Sequence, residues 1–440
     1  MLFGRPLALT STGAPGRNFV LRLLLSVSSC TPSLLTDDDD STGDDDDSTG
    51  DDDDSAGDDD DSAGDDDDSA SPSPFDWSDR VLVIYNANEA ESLAVAQHYV
   101  EARGLAPSSL CPTAPSATDI IDVEDYQNSI ALPVLACIAG DWERPLVLVT
   151  TYGVPYKVTE AVWDIAQEGT LASASVDALL TQPHHQDELP LTPSWNPYYL
   201  DAASAEGTYP TGAPISEWRN DSGTVFYLVG RLDGPSSEIA HRMIDEALAF
   251  EAAAPTGAAW VDRGWKERSE DEFASYASVE WDLTRLAQVF EAAGFETHFE
   301  ETEAEVGTLP APLKGDALYY GGWYSFNNYN DVWTWQPGAI SLHFDSCSAC
   351  NPRGGPNWSA NVLERGALAT MGAVAEPYVV GLMEYDQFYR HFFAGYSFVE
   401  SAYMASPVSE WMATYLGDPL YRPYGSNPLL EDDWQPPPLP

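Results

Sequence analysis

Basic residues are scarce in this sequence. The 440 residues include 19 Lys and Arg against 72 Asp and Glu, which gives a formal net charge of -53. Because neutralising phosphate groups requires clustered Lys and Arg, this balance argues against nucleic acid as a partner and against direct binding to anionic lipid headgroups. No D-x-D-x-D-G loop is present, so the acidic residues offer at most a calcium site of another kind, and no other cofactor is expected.

Apolar runs of membrane-spanning length are also lacking. The nearest approach is RNFVLRLLLSVSSC, in which Arg17 and Arg22 precede a short apolar segment. Its last four residues, Val27 to Cys30, fit the bacterial lipobox, whose cysteine is acylated. Residues 1–30 therefore resemble a lipoprotein leader with Cys30 as the lipidation site, and an upstream, mistaken start codon is the alternative. We expect an exported cell-envelope protein that reaches the membrane through an N-terminal lipid.

The acidic charge is concentrated after this leader. From Asp37 to Asp68 the chain repeats DDDDSTG or DDDDSAG, with five blocks of four aspartates. A segment with no apolar residues and one sign of charge cannot offset the entropy of ordering, and it extends by self-repulsion. Residues 31–75 are therefore predicted to be a disordered tether.

Cysteines are few. Only five are present, with a single CxxC, so a four-cysteine zinc site is excluded. Once Cys30 is assigned to lipid, an even number remains, which in an exported protein indicates disulfides, and Cys111 with Cys137 is the favoured pair. Cys347 and Cys350 lie in Cys-Ser-Ala-Cys. They form a disulfide bridge, a redox pair, or one reactive thiol next to a cysteine without a role.

Residues 76–428 have the pattern of one α/β domain, followed by a Pro-rich tail over 429–440. Short apolar runs such as VLVIYN alternate with segments of helical periodicity such as AESLAVAQHYVEARG. Unalternating apolar strands bounded by helices indicate a mostly parallel sheet covered on both faces, a three-layer α/β fold. The Pro-, Trp- and Tyr-rich segment from about 158 to 220 has no evident place in the sheet, and we interpret it as an insertion covering one edge.

Function in open parallel sheets collects beyond the carboxyl ends of the strands. In this sequence the predicted strand ends are rich in polar and aromatic residues, which suits the rim of one cleft that binds a peptide or a glycan. The predicted rim comprises Asn86, Asn88, Tyr152, Arg231, Asp233, Trp323, Tyr324, Ser325 and Glu376.

The segment SLHFDSCSAC carries the candidate catalytic residues. Period-two alternation places His343 and Asp345 on one face of a strand, after which Ser346 and Cys347 leave the sheet. A thiol at one strand end and a histidine at the next would form a nucleophile and its base. The preceding strand, however, supplies Trp323, whose indole cannot accept a proton near neutral pH.

The chain from about 80 to 424 resembles an uncharacterised family of exported bacterial proteins. The motifs that carry the resemblance are VLVIYNAN, LCP, GVPYKV, NPYY, GRLDGP, GGWYS, AEPY and GDPLYRPY, in that order. That family is distantly similar to gingipain and caspase-like cysteine peptidases, in which a strand ending in Gly-His precedes a strand ending at the nucleophilic cysteine. The resemblance implies a caspase/gingipain-like fold in which Trp323 stands at the position of the histidine and Ser346 or Cys347 at that of the cysteine.

Three functions remain open at this point. The first is a cysteine-type hydrolase with a rewired dyad, in which His343 reaches Cys347 or Ser346. The second is a binding module without catalysis, in which the aromatics of WYSFNNYNDVWTWQ stack on sugars or prolines. The third is a metal-dependent hydrolase that uses the histidines and acids of PHHQDE, residues 183–188, or Asp233 and Glu376 at the rim.

Two further motifs have a structural and a functional interpretation. In GRLDGP, Arg231 and Asp233 either clamp a substrate carboxylate or pair with each other and with Lys157 or Glu376. In GDPLYRP, the simplest prediction is a tight turn in which Asp418 accepts backbone hydrogen bonds.

Overall fold

The structure is a computed structural model that describes residues 77–164, 167–183, 193–199, 226–264, 268–270, 273–301, 313–323 and 329–439. The predicted leader, the lipidation site Cys30, the acidic tether, and the rim residues Tyr324 and Ser325 lie outside these ranges. Within them, no helix has both the length and the apolar character needed to cross a membrane.

Ten strands form the main sheet, in the spatial order β10, β9, β11, β12, β13, β15, β8, β4, β1, β2. All neighbours pair in parallel except at the centre, where β15 runs antiparallel to β13 and meets β8 at one register position, Leu416 opposite Arg231. The strands of this sheet are β1 (Val81–Asn86), β2 (Leu110–Thr113), β4 (Val147–Thr151), β8 (Leu228–Leu232), β9 (Ala258–Asp262), β10 (Thr297–Glu300), β11 (Lys314–Gly322), β12 (Trp333–His343), β13 (Ala369–Ala373) and β15 (Ala413–Leu416).

Two smaller sheets accompany the main one. The first contains β3 (Ile120–Ile121), β5 (Lys157–Asp164) and β6 (Gln167–Ser175), and the second pairs β7 (Ser194–Trp195) with β14 (Val408–Ser409). The α-helices are α1 (Ala90–Ala102), α2 (Val123–Tyr126), α3 (Leu132–Ile138), α4 (Val176–Leu180), α5 (Ser237–Ala252), α6 (Tyr276–Ala292), α7 (Trp358–Glu364), α8 (Tyr385–Phe393) and α9 (Phe398–Met404).

Helices cover both faces of the main sheet. A Cβ atom placed on Gly321 would collide with Leu286 of α6 and approach Tyr385 of α8, so these helices pack closely on one face. On the opposite face, Trp358 of α7 donates its indole N–H to Ser341 Oγ at 3.1 Å. The predicted α/β class, with a large, mostly parallel sheet and helices on both faces, is therefore confirmed.

His343 lies on the α7 face, inside a layer of aromatic rings. Its imidazole stacks on Trp358 with ring centroids 3.9 Å apart and planes 9° from parallel, and its Nδ1 lies 3.2 Å from the Tyr320 hydroxyl. Phe344 points to the other face and contacts Tyr385 at a centroid distance of 4.2 Å. The predicted alternation in this strand therefore agrees with the structure, and His343 is a core residue. Burial lowers the pKa of His343 to about 3.

The GDPLYRP segment forms the predicted turn and also ties the sheet to two helices. Asp418 accepts the Leu420 backbone N–H at 2.9 Å, as expected. The same carboxylate accepts the Tyr99 hydroxyl at 2.9 Å and pairs with Arg103 of α1. Gly417 has φ +143° and passes close to the backbone of β13, which a side chain would prevent.

Part of the segment predicted to be a covering insertion belongs to the core. Residues 173–181 are buried, and they include Asp177 at the start of α4, whose side chain is 1% exposed. This part of the segment packs against the main sheet, where Asp177 contacts Arg231 of β8 and Thr414 of β15, and the covering role of the whole segment stays a prediction. Residues 184–192 and 200–225 of the segment lie outside the described ranges.

The buried His343 should make the protein sensitive to acid. Because its folded pKa is about 3 and its ordinary value 6.5, the unfolded chain binds more protons between these two pH values. The unfolding free energy should therefore fall as the pH drops from 6.5 towards 3, by up to about 1.4 kcal/mol per pH unit for this group. Urea titrations across this window measure the unfolding free energy at each pH. In His343→Phe this free energy should change less steeply with pH, by the equivalent of nearly one bound proton. Equal slopes in the two proteins would contradict the assignment, whatever the difference in absolute stability.

Candidate functional site

Arg353, in the loop after β12, joins the carboxyl ends of several strands. Its guanidinium donates to both carboxylate oxygens of Asp233 after β8, at 3.0 and 2.7 Å. It also donates to the Val154 carbonyl after β4 at 3.0 Å, and to Thr118 O and Asp119 Oδ1 at 2.6 Å each. The ends of β4, β8 and β12 therefore meet at one side of the sheet, which we call the carboxyl edge.

Arg231 lies beneath Arg353 and is fully buried. It holds Asp177 with two bonds of 2.8 and 2.7 Å and Asp233 with one of 3.0 Å. Its remaining N–H groups donate to the carbonyls of Val154 and Pro155, both at 2.9 Å. Since a guanidinium has five N–H donors, all of them are used inside the protein.

The prediction that Arg231 and Asp233 bind a ligand is therefore wrong. Arg231 has no donor left, and both oxygens of Asp233 are occupied by arginines. The alternative, that Arg231 and Asp233 pair with each other, is confirmed. Their further partners are Asp177 and Arg353 and not the predicted Lys157, which donates to the Val374 carbonyl at 2.9 Å. Buried charges are stable only when paired and hydrogen-bonded in this way.

Asn86 and Asn88 also serve the local fold. The buried Asn86 donates from Nδ2 to Gly153 O at 2.9 Å and accepts the Asn88 backbone N–H at 3.0 Å. Asn88 donates from Nδ2 to Pro115 O at 3.1 Å. These amides were predicted to bind a ligand. In the structure they instead hydrogen-bond to the backbone of the loops after β1, β2 and β4. Tyr152, half-buried, lies under the Arg353 guanidinium at 5.0 Å.

Trp323 lies at the end of β11 and is 5% exposed. Its indole N–H donates to Glu280 Oε1 of α6 at 2.8 Å, and the other oxygen of Glu280 lies 2.8 Å from Arg263 Nε. Its ring also contacts Tyr276 at a centroid distance of 5.2 Å. Trp323 is therefore a fixed, buried side chain, which agrees with the expectation that it cannot act as a base.

Cys347 is bonded to Cys350 in a disulfide. A disulfide sulfur carries no thiolate, so the prediction of Cys347 as a hydrolytic nucleophile is wrong for this oxidised protein. Asp345 is buried and accepts the Cys347 backbone N–H at 3.4 Å, which shapes the turn. Ser346 is half-buried, and among the described residues no hydrogen bond joins its hydroxyl to an imidazole.

His343 cannot act as the base of a dyad. Its ring is held between Tyr320 and Trp358, and a group with a pKa of about 3 is a weak base at neutral pH. The rewired dyad is thus contradicted at both its histidine and its cysteine. The favoured disulfide prediction, Cys111 with Cys137, is confirmed, because these cysteines are bonded in the structure.

Several large aromatic side chains are exposed, which the sequence pattern did not predict. Trp195 and Tyr276 are each 56% exposed, Phe273 is 43% exposed and Tyr378 is 68% exposed. The rings of Trp195 and Phe273 lie 6.1 Å apart, and Tyr276 rests on the buried Trp323. We call these four residues the aromatic surface. Phe273 precedes α6 and Tyr276 is its first residue, and nothing in the sequence pattern shows that they face outwards.

Tyr378 has an unusual backbone for an aromatic residue. Its φ of +50° lies in the left-handed region, which is unfavourable for residues other than glycine. The exposed Glu376 stabilises this turn by accepting the Tyr378 backbone N–H at 3.0 Å. The Tyr378 ring lies 6.3 Å from that of Trp411, whose segment leads into β15. Of the predicted rim, Glu376 thus lies beside an exposed aromatic ring.

The aromatics of WYSFNNYNDVWTWQ are mostly core where the structure describes them. Trp333 and Trp335 are each 7% exposed and stack on one another at 5.2 Å. Tyr329 packs edge-on against Trp358 at 5.1 Å. Their predicted role in stacking on a ligand is therefore wrong for Trp323, Trp333 and Trp335, because their faces are covered by protein.

A cavity of about 450 Å³ opens at the amino ends of the strands, opposite the carboxyl edge. Its lining is polar and includes Glu296, His298, Asp316 and Gln336. Among the described residues, no three or more His, Cys, Asp or Glu side chains are grouped so as to hold a metal ion. The histidines of PHHQDE lie outside the described ranges.

The chain was compared with known proteins. It matches no family profile, and no curated protein sequence matches it significantly. A solved structure titled "Structure of Protease" superposes with a TM-score of 0.39 and 12% sequence identity, covering 80% of this chain and 79% of that one.

Removing Arg231 should be far more costly than removing an arginine at the surface. Arg231→Met leaves Asp177 and Asp233 short of a buried partner, and loss of one member of a buried ion pair costs about 3–5 kcal/mol. The matched control is Arg365→Met, which breaks a partly exposed pair with Asp331 at 2.6 Å and should cost about 0–1 kcal/mol. Denaturant unfolding measures both, and similar losses would contradict the central role of Arg231.

Proposed function

We propose that this protein is a recognition module without hydrolytic chemistry, which binds a glycan or peptide at the aromatic surface of its carboxyl edge. The observation that carries the proposal is the outward placement of Trp195, Phe273, Tyr276 and Tyr378. Exposed apolar patches rimmed by polar residues commonly mark sites that bind a ligand or a partner.

The chemistry of the neighbouring positions supports recognition over catalysis. The sulfur of Cys347 is bonded to that of Cys350, the His343 ring is buried, and Trp323 donates to Glu280. Each group expected to act on a substrate is instead engaged by the protein. A cysteine-type hydrolase would need a free thiol and an accessible base.

The chemistry of the surface supports a ligand with flat apolar faces. Tyr and Trp offer a ring for stacking and a polar atom for hydrogen bonding, which suits pyranose rings and proline-rich peptides. Glu376 adds a carboxylate next to Tyr378 that can accept hydrogen bonds from hydroxyl or amide groups. Arg263, which pairs with Glu280 and Glu301, lies near the other end of the surface.

The proposal includes export, attachment to the membrane through a lipid on Cys30, and membership of the exported bacterial family that carries the GGWYS and GDPLYRP motifs. Its support is the lipobox-like Val27 to Cys30 and the order of the eight motifs in the sequence. An acidic tether after a lipidated cysteine would hold the folded domain away from the envelope surface. Mass spectrometry of the mature amino terminus, with and without Cys30→Ala, tests this part directly.

Binding should depend on the aromatic surface. We expect the full chain to bind members of a glycan or peptide array saturably, and Tyr276→Ala or Tyr378→Ala to weaken the best ligand by roughly tenfold, since stacked aromatics are frequent hot spots. Leu313→Ala is the matched control, because Leu313 is 76% exposed at the amino end of β11 and should change nothing. Absence of saturable binding on both arrays, or equal losses in the control, would refute the proposal.

Hydrolysis should be absent. Fluorogenic peptide libraries incubated with the full chain, with or without reductant, should give the rate seen in buffer alone, and Cys347→Ala should give the same result. The reason is that the His343 ring is buried between Tyr320 and Trp358, so it is not available as a base to the Cys347 sulfur. A cleavage activity that disappears in Cys347→Ala would restore the hydrolase hypothesis.

A further inference from the structure

The disulfides of this protein differ in what they can do for stability. Cys111 and Cys137 are 26 residues apart, whereas Cys347 and Cys350 are 3 apart. A crosslink stabilises mainly by restricting the unfolded chain, and this effect grows with the length of the closed loop. The Cys347–Cys350 bond therefore contributes the smaller share of folding stability.

Its surroundings suit chemistry better than crosslinking. Cys347 and Cys350 are both partly exposed, whereas in the other disulfide Cys111 is fully buried and Cys137 is exposed. The Cys-Ser-Ala-Cys turn leaves the sheet at the carboxyl edge, directly after β12. A partner thiol can therefore reach this bond without unfolding of the domain.

The sulfurs are not equivalent. Cys350 Sγ lies 3.3 Å from the Val374 carbonyl oxygen, so in the reduced state its S–H can donate there. A nearby carbonyl stabilises the protonated thiol and disfavours the thiolate. Among the described residues, the Cys347 sulfur has no such acceptor, and its residue is held through its backbone by Asp345 and Asn357. The thiolate that attacks a partner should therefore form on Cys347.

We propose that Cys347 and Cys350 form a thiol–disulfide exchange site, with Cys347 as the exchanging sulfur and Cys350 as the resolving sulfur. A partner thiolate attacks Cys347 Sγ, the S–S bond breaks, and its electron pair passes to Cys350, which takes a proton. A second partner thiolate then attacks the partner sulfur of the mixed disulfide and releases Cys347 as a thiolate. Two partner thiols become one disulfide while the Cys347–Cys350 bond gains two electrons, and the reverse sequence oxidises a dithiol.

The exchange site lies close in sequence to the ion pairs of the carboxyl edge. Arg353 follows Cys350 by three residues, and its guanidinium holds Asp233 and the loop after β4. This proposal does not depend on ligand binding at the aromatic surface.

The test is a redox titration of the folded full chain. The protein is equilibrated in glutathione buffers of increasing reducing strength, quenched with acid, alkylated and analysed by peptide mass spectrometry. We expect Cys347 and Cys350 to become alkylated at a ratio of reduced to oxidised glutathione at least about tenfold lower than Cys111 and Cys137, with near-UV circular dichroism unchanged. Joint reduction of both disulfides, or reduction only on unfolding, would overturn the proposal.

Single variants assign the roles of the sulfurs. Cys350→Ser should form a glutathione adduct on Cys347, and Cys347→Ser should form the adduct on Cys350 at least about tenfold more slowly. Equal rates would overturn the assignment of Cys347 as the exchanging sulfur. A parallel titration with a reduced dithiol protein in place of glutathione distinguishes a protein partner from a small thiol. The wild-type titration remains decisive if either variant fails to fold.

Discussion

The buried chain of charges formed by Asp177, Arg231, Asp233 and Arg353 is the interaction on which the carboxyl edge depends. It connects a short helix, the end of β8 and the loop after β12, which are distant in sequence. Burying four charges is costly, and this arrangement offsets the cost only because every guanidinium donor of Arg231 and Arg353 is used. The geometry is correspondingly rigid. The Cys347–Cys350 turn precedes Arg353 by three residues, so these ion pairs anchor the chain that leaves that turn.

The same edge shows how a catalytic-looking arrangement can serve the fold. The tryptophan, histidine and cysteine that the sequence marked as a candidate site are each engaged by the protein itself. Trp323 bonds to Glu280, His343 stacks on Trp358, and Cys347 is bonded to Cys350. Recognition and redox exchange both require exposure, which Tyr276, Tyr378 and the Cys347–Cys350 pair have.

Local pattern predicted the local features well. Alternation in SLHFD placed His343 and Phe344 on opposite faces, and the apolar runs predicted a mostly parallel sheet. Local pattern could not predict contacts between segments distant in sequence. Nothing around Arg353 in NPRGG, for example, indicates a contact with Asp233, 120 residues earlier. The contacts of Asp177 are also distant in sequence, so its segment was interpreted as a covering insertion. Exposure is a property of the assembled surface, so Phe273 and Tyr276 could not be distinguished from core aromatics such as Trp333 and Trp335.

The place of β15 has a consequence for the order in which the molecule can be completed. This strand is the last of the main sheet in chain order, yet it lies between β13 and β8 at the centre. Until residues 413–418 are in place, the five strands on one side and the four on the other end in open edges that invite pairing with other chains. Asp418 then pairs with Arg103, which follows α1, and accepts the Tyr99 hydroxyl of α1. These contacts connect the last strand of the sheet to the helix that follows its first strand. A chain that stops short of this segment would carry two aggregation-prone edges, so truncation is more hazardous here than in a sheet whose final strand lies at the rim.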